Sequence, residues 1–592
     1  MEKDDKNGGY LHPSGICLRK GKVKMKNKLV AYLVGAFIEG GIALYILEQM
    51  QFDPARGQTV NYALLRSIIA GSMLLILVIM LLVLFHILRN PVWTQRISSY
   101  LTEVLDGPEK RLFNIQGLLV VIQILLVEWF FLTYFALPAP LAPPLAWGIL
   151  ICFQTWLGLR LLFSSTYRAQ PTLFSKLRSS WLRLLPVQRR TIITLSIIGL
   201  IYFSAFIPAN AGENLHADEY TIYPEVVRKL TVGDSFNESV RNILGIKEWW
   251  YGYPYFPLSA FVLLIPRLIF GDGFADQIQL NMLLLRQFIS VLPMILAIFV
   301  LVYVVTRFRS VLLSVSMFVF LLLIPGVIKN NYRFWHPEGI ILLLIALTIY
   351  FLQHDKLRFR RNFYLAAITC GLAIAIKLWG FFFFLTIAGY LLAGFVQKAL
   401  TFKRMILAGL IFIIVMGSTI LISSPALLEV QSTQFMIAGL KDQINVNAHG
   451  VNEPDPEGVY RTGLENWMRY SEMYFLRSYF FYFLFFALIA GAMFGSEVYL
   501  NRIILSWTLV TAVYLIWFVS VKRFQYMLPM MLPLHCGAFL FPAIAGGRTR
   551  WQVFLRKPVI YKSLRAITFL LIGSQFVFNL VDIVTSPVIL PH

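Results

Sequence analysis

The sequence predicts an all-α polytopic membrane protein, and three observations carry that prediction. Apolar residues make up 58% of the 592-residue chain and charged residues 14%, whereas a soluble chain carries roughly a quarter charged residues. Apolar windows of the ~20 residues needed to cross a ~30 Å hydrocarbon core recur along the whole length. Basic residues collect in short segments between those windows, which is the distribution that membrane topology produces. The mean hydropathy of +0.69 agrees. Backbone groups in lipid must be satisfied internally, so helices are the expected spanning elements. The net charge of +22 would suit nucleic acid, but the basic residues form no single face or domain, so a nucleic-acid partner is excluded.

About fifteen spanning helices are expected. The polar start over 1–28 is too long and mixed for the basic region of a signal peptide, so the first apolar run reads as a retained helix. Runs near 29–47, 67–88, 112–136 and 145–164 form a separate four-helix block, 1–165, with isolated intramembrane acids at Glu39 and Glu128. A second block, the core of the chain, is expected over 166–547. It opens with a span near 190–207 and a long polar segment, 208–285, in which "TIYPEVVRKLTVG" (221–233) and "SAFVLLIPRLIFG" (259–271) read as amphipathic interfacial helices. Spans follow near 286–306, 311–328 and 338–353, then a pair near 363–378 and 380–396 that also fits one long kinked helix, and one near 405–424. After a second long segment, 425–478, come runs near 479–495, 502–520 and 526–545. A basic stretch and a final span near 566–586 make a last block, 548–592.

Orientation follows from the basic loops at 19–28, 167–190, 355–361, 398–404 and 548–565. If helices alternate, all five fall on one side, which the positive-inside rule makes cytoplasmic. The N-terminus is then cytoplasmic, the C-terminus outside, and the long segments 208–285 and 425–478 lie outside the cytoplasm, in a plasma or endoplasmic-reticulum-type membrane. The four cysteines, Cys17, Cys152, Cys370 and Cys536, are far apart and imply no disulfide framework or metal spacing.

Charge at membrane depth is costly, about 2.5–3.5 kcal/mol per group on insertion scales, so its placement is informative. On the outer side the chain gathers Asp218 and Glu219, Arg286, the "NNYRFWHPEG" turn (330–339), Lys377, "NVNAHG" (445–450) and "VKRFQYMLP" (521–529). Snorkelling explains single Lys or Arg residues at helix ends; it does not explain both signs of charge gathering on several helices. Arg286, Lys377, Lys522 and Arg523 are candidates to neutralise a phosphate, by a bidentate fork for Arg and a point charge for Lys. His336, Glu338, His449 and Tyr253 are further candidate site residues, which the resemblance described next makes sugar- or acceptor-lining.

In order along the chain, "HADEY" (216–220), "WWYGYPYFPLSAF" (249–261), "RFWHPEGIILLLIALTIYFL" (333–352), "GLAIAIKLWGFFFFL" (371–385) and "KRFQYMLPMMLPL" (522–534) resemble the GT-C superfamily of membrane glycosyltransferases. The nearest branch is the protein O-mannosyltransferase and aminoarabinose-transferase group. The resemblance covers about 190–545. The acidic turn here reads His336-Pro337-Glu338 rather than Arg-Pro-Asp, the late motif has an altered Arg–Tyr spacing, and the front block has no counterpart in the family.

The resemblance implies a GT-C-like helical bundle with extracytoplasmic loops. It also implies transfer of a sugar from a polyprenyl-phosphate carrier to a hydroxyl of a protein, lipid or glycan, with inversion. It makes Asp218 the base and Glu219 its neighbour that positions the acceptor or tunes Asp218. One carboxylate suffices for such chemistry, because the phosphate-diester donor releases a phosphate monoester, a weak base that needs no general acid, unlike the alcohol leaving group of a glycosidase. The alternative for the acidic pair is a helix cap. A divalent metal is possible, but two carboxylates are too few ligands to support one, so no cofactor is expected. The rival for the whole chain is a transporter or lipid-linked-sugar flippase, which predicts internal repeats and charges at the bilayer midplane.

Overall fold

The computed structural model describes Val78, Leu82, Ser179 and most of 181–586. Within that last stretch, 213, 214, 216, 235, 247–250, 378–380, 425, 426, 428, 429, 450–461, 496, 521, 522, 542–549 and 556 lie outside the described residues. So do the expected four-helix block with Glu39 and Glu128, apart from Val78 and Leu82, and the candidate Lys522. The chain divides into two compact units, Met1–Ser180 with Val232–Arg241, and Trp181–Thr231 with Asn242–His592. The second unit holds the helical bundle.

Every regular element among the described residues is helical. The second unit opens with α1 (Pro186–Ala205), which has proline in its first turn, where the missing N–H costs nothing. α2 (Ala217–Leu230) carries Asp218 and Glu219 in its first turn and Arg228 and Lys229 in its last, the charge order that the helix dipole favours. α3 (Tyr255–Val262) and α4 (Leu264–Phe270) come next, followed by α5 (Ile278–Leu285). A π-helical turn, Arg286–Val291, joins α5 to α6 (Leu292–Thr306). α7 (Val311–Leu322), α8 (Pro325–Asn331), α9 (Glu338–Asp355) and α10 (Arg361–Ile376) follow, then α11 (Phe382–Val396), α12 (Phe402–Ser423) and α13 (Val430–His449). The chain closes with α14 (Leu464–Tyr474), α15 (Ser478–Phe494), α16 (Val498–Trp517), α17 (Phe524–Leu540) and α18 (Pro558–Thr585).

Six described helical stretches are long and apolar enough to cross a membrane, or up to nine if each bent pair counts as one span. The six are Pro186–Asn210, Ile278–Thr306, α9, α12, α16 and α18, each overlapping a run expected from sequence. The two runs near 363–396 form separate helices, α10 and α11, of 16 and 15 residues. At 1.5 Å per residue these rise only about 22–24 Å. The stretch expected as one interfacial helix over 259–271 is bent: Tyr255–Val262 and Leu264–Asp276 meet at 43° and together are long and apolar enough for one broken span.

Burial separates inner from outer helices. In α9 and in Ile278–Thr306, 67% and 61% of the most apolar window is buried, against 17% in α12 and α18. Ile413, Ile414, Ile422, Leu570 and Val584 stand exposed on the latter two, as lipid-facing side chains do. α9 packs on α6 and α10, while α17 packs against α15, α16, α9 and α6. Gly339 lets α9 close on the π turn: a Cβ there would lie 2.5 Å from the Ser290 carbonyl oxygen. Because α9 and α10 run antiparallel, Glu338 at the start of one and Lys377, just past the end of the other, arrive together.

Candidate active site

The polar groups singled out from sequence converge mostly on one end of α6, α9 and α10. They do so as two linked assemblies. In the first, the Arg286 guanidinium grips Glu219 through two contacts, Nε to Oε1 at 3.1 Å and Nη2 to Oε2 at 2.6 Å. Both side chains are fully buried. Arg286 Nη1 also donates to the carbonyls of Asn210 and Gly212, and Glu219 Oε1 accepts from the Trp335 backbone N–H at 2.8 Å. Asn210 in turn accepts from Arg333 N at 2.7 Å and donates to Asn331 O, fixing a turn in which Arg333 takes a left-handed φ of 54°. A buried charge is tolerable only when paired and hydrogen-bonded, and this pair has both.

The second assembly holds Asp218, His336, Glu338, Lys377 and Tyr251. Asp218 keeps about a third of its side chain exposed (32%), while His336 and Glu338 are fully buried. His336 Nε2 lies 3.4 Å from Asp218 Oδ2 and Nδ1 lies 3.3 Å from Glu338 Oε2. The Tyr251 hydroxyl stands 2.8 Å from His336 Nδ1 and 3.4 Å from the same Asp218 oxygen. Lys377 Nζ donates to Glu338 Oε1 at 2.5 Å and lies 5.2 Å from the ring centroids of both Tyr251 and Tyr526, an aromatic pairing that favours a cation. Burial first, then the neighbouring carboxylates of Glu338 and Asp218, push the Tyr251 phenol well above its ordinary pKa, so it keeps its proton.

Local structure explains each placement. Asp218 and Glu219 are adjacent on α2, so their side chains leave the helix about 100° apart, one to the partly exposed rim and one to Arg286. The π turn brings Arg286 and Ser290 to the same buried side, and Ser290 Oγ both accepts from His336 N (2.9 Å) and donates to His336 O (3.1 Å). Such π turns recur at functional sites. Gly252 admits Tyr251 by letting its own N–H meet Ile376 O at 2.8 Å; a Cβ at 252 would fall 1.7 Å from the Ala375 carbonyl oxygen.

The remaining candidates lie elsewhere or further out. Tyr253 is buried with its hydroxyl donated to Ile243 O and Lys229 against its ring, so Tyr251, two residues earlier, is the tyrosine that meets the acidic cluster. Arg523 is the exposed N-cap of α17, and its carbonyl accepts from the N–H of Tyr526, the residue that faces Lys377. His449 ends α13, and its side chain lies outside the described residues. Ser290 and Asn210 enter the site without having been singled out from sequence for it, and Tyr526 only as part of the late motif. Of the three tyrosines of "YGYPY", Tyr251 reads from sequence as an aromatic suited to the membrane interface or to a sugar face. Among the described residues no group of three or more His, Cys, Asp or Glu is disposed to hold a metal ion.

No protein-family model matches this chain, and no curated protein matches it.

Proposed function

We propose that this protein is a GT-C-type membrane glycosyltransferase, with about fifteen spans in all. It moves a sugar from a polyprenyl phosphate to an acceptor hydroxyl on the extracytoplasmic side. The observation that carries the reading is the gathering of one partly exposed carboxylate, Asp218, with a cation, Lys377, in one cluster through His336, Tyr251 and Glu338. A carboxylate removes the acceptor proton as the hydroxyl attacks the anomeric carbon, and the bond to the carrier phosphate breaks on the opposite face. Lys377 and Arg523 neutralise the departing phosphate. The lipid tail of the donor stays in the bilayer while its head meets the rim.

The two acids then have different duties. Asp218 is the base, because it is the member of the pair that an acceptor can touch. Glu219 and Arg286 are consumed by each other and by backbone groups, so their duty is to hold α2 and the 333–336 turn in register. Against the transporter reading stands the position of the charges, gathered at helix ends instead of the middle of the spans.

The experiment is turnover by the full-length protein in nanodiscs with a mixture of polyprenyl-phosphate sugars. Asp218→Asn keeps the shape and loses the basic oxygen. It should lower turnover by the ~10²–10⁴ that general-base catalysis supplies, with donor binding retained. Near-normal transfer by this variant would remove Asp218 from the chemistry.

A further inference from the structure

Resting on the assignment of Asp218 as base, we propose that His336 is a positioning residue that fixes the Asp218 carboxylate for proton abstraction, with Tyr251 as its second support. The geometry is unusual for a buried histidine that merely fills space. Its backbone is pinned at both polar atoms by Ser290 Oγ, at 2.9 and 3.1 Å. Its ring is stacked on Phe334 with centroids 3.7 Å apart and planes within 7°. The ring plane is therefore set, and its Nε2 lies 3.4 Å from Asp218 Oδ2.

The Tyr251 hydroxyl approaches that same oxygen. Two groups on one carboxylate oxygen fix the carboxylate plane, and with it the direction in which the second oxygen meets an acceptor. His336 is fully buried and Asp218 is not, so the imidazole acts through the carboxylate and not on substrate. At 3.4 Å the contact is long, as such contacts are before substrate closes the site. The titratable and charged groups facing His336 are Asp218 from α2, Tyr251 from the preceding loop and Glu338 from its own turn, with Lys377 behind Glu338. One imidazole thus stands between the base and the acid that holds the phosphate-binding lysine.

Three variants separate this role from packing. His336→Phe keeps an aromatic ring on Phe334 and loses both nitrogens, His336→Gln restores a donor near the Nε2 position, and Tyr251→Phe removes the second support without disturbing the fold. Misplacing a reacting group by about 1 Å costs ~10²-fold, so His336→Phe should lose about 10–100-fold in kcat with donor KM unchanged. His336→Gln should recover most of that loss, and Tyr251→Phe should lose less than His336→Phe. In an Asp218→Asn background none of the three substitutions should cost anything further, because residues acting as one unit are not additive.

A readout independent of turnover is the infrared carboxylate stretch of Asp218, assigned by its disappearance in Asp218→Asn. It should move in His336→Phe and in Tyr251→Phe. An unmoved band in both variants, or an equal kcat loss in His336→Phe and His336→Gln, would overturn the proposal. A moved band in a protein that transfers no polyprenyl-linked sugar would leave the positioning intact and overturn the transferase reading instead.

Discussion

At the scale of single residues, the acidic pair that begins α2 separates into an anchor and a base. Glu219 and Arg286 share a fully buried bidentate contact, and removing one partner of such a pair strands the other charge. Arg286→Met and Glu219→Leu should each destabilise the protein by about 3–5 kcal/mol, whereas the double substitution should recover much of that loss. Thermal unfolding in detergent reads this directly, and single variants as stable as the parent would remove the anchor role. Asp218→Asn, at the partly exposed rim, should leave the unfolding midpoint near its parent value. Lys377→Gln addresses the phosphate: donor affinity should fall by ~1.5–3 kcal/mol, the worth of a hydrogen bond to a charged group, measured by titrating the donor into nanodiscs. Unchanged affinity would return Lys377 to the role of a partner for Glu338 alone.

At the scale of elements, α17 shows how the bundle accommodates helix breakers at its centre. Pro529 and Pro533 lie inside α17, whose residues from Met527 to Leu540 are all buried. Pro533 has no N–H to give to the carbonyl four residues back, and that carbonyl, Pro529 O, accepts instead from the indole Nε1 of Trp507 on α16 at 2.8 Å. Trp507→Phe should therefore cost about 1–3 kcal/mol by orphaning a buried acceptor, on top of the lost packing. Adding Pro533→Ala supplies an internal N–H, so in thermal unfolding the double variant should lose less than the sum of the singles. Strict additivity would sink this account. At the opposite end of α9, Asp355 performs a comparable service. It accepts from the N–H groups of Phe359 and Arg360 and from the Tyr390 hydroxyl, closing a loop in which Lys356, Leu357 and Phe359 take left-handed φ values.

At the scale of the whole molecule, the legible part of the fold was whatever the bilayer enforces. Apolar length marked α9, α12, α16 and α18, and the breaks between runs placed Glu338 and Lys377 at helix ends, because charges are expelled from the hydrocarbon core. The Arg286–Glu219 pairing was hidden because it joins residues 67 apart, and nothing local records which acid faces inward. Tyr251 and Tyr253 are alike in sequence, and only the close approach of Gly252 to the end of α10 distinguishes them. The same bundle carries an excess of base at one end. Asp218, Glu219 and Glu338 sit with Arg286, His336 and Lys377 at one end of α6, α9 and α10, and the other end has Arg307, Lys356, Arg358, Arg360 and Arg361 with Asp355. Along the 18 residues of α9 these ends are about 27 Å apart, and the positive-inside rule makes the second end cytoplasmic. On the proposed function, the site at the first end is then expected to face outward. In a protein lacking its other cysteines, a thiol at Asp272, which is 84% exposed before α5, should react with an impermeant maleimide added outside intact cells. One at exposed Thr401, between α11 and α12, should react only after the membrane is opened. The opposite pattern would turn the protein over and place Asp218 where no extracytoplasmic acceptor could reach it.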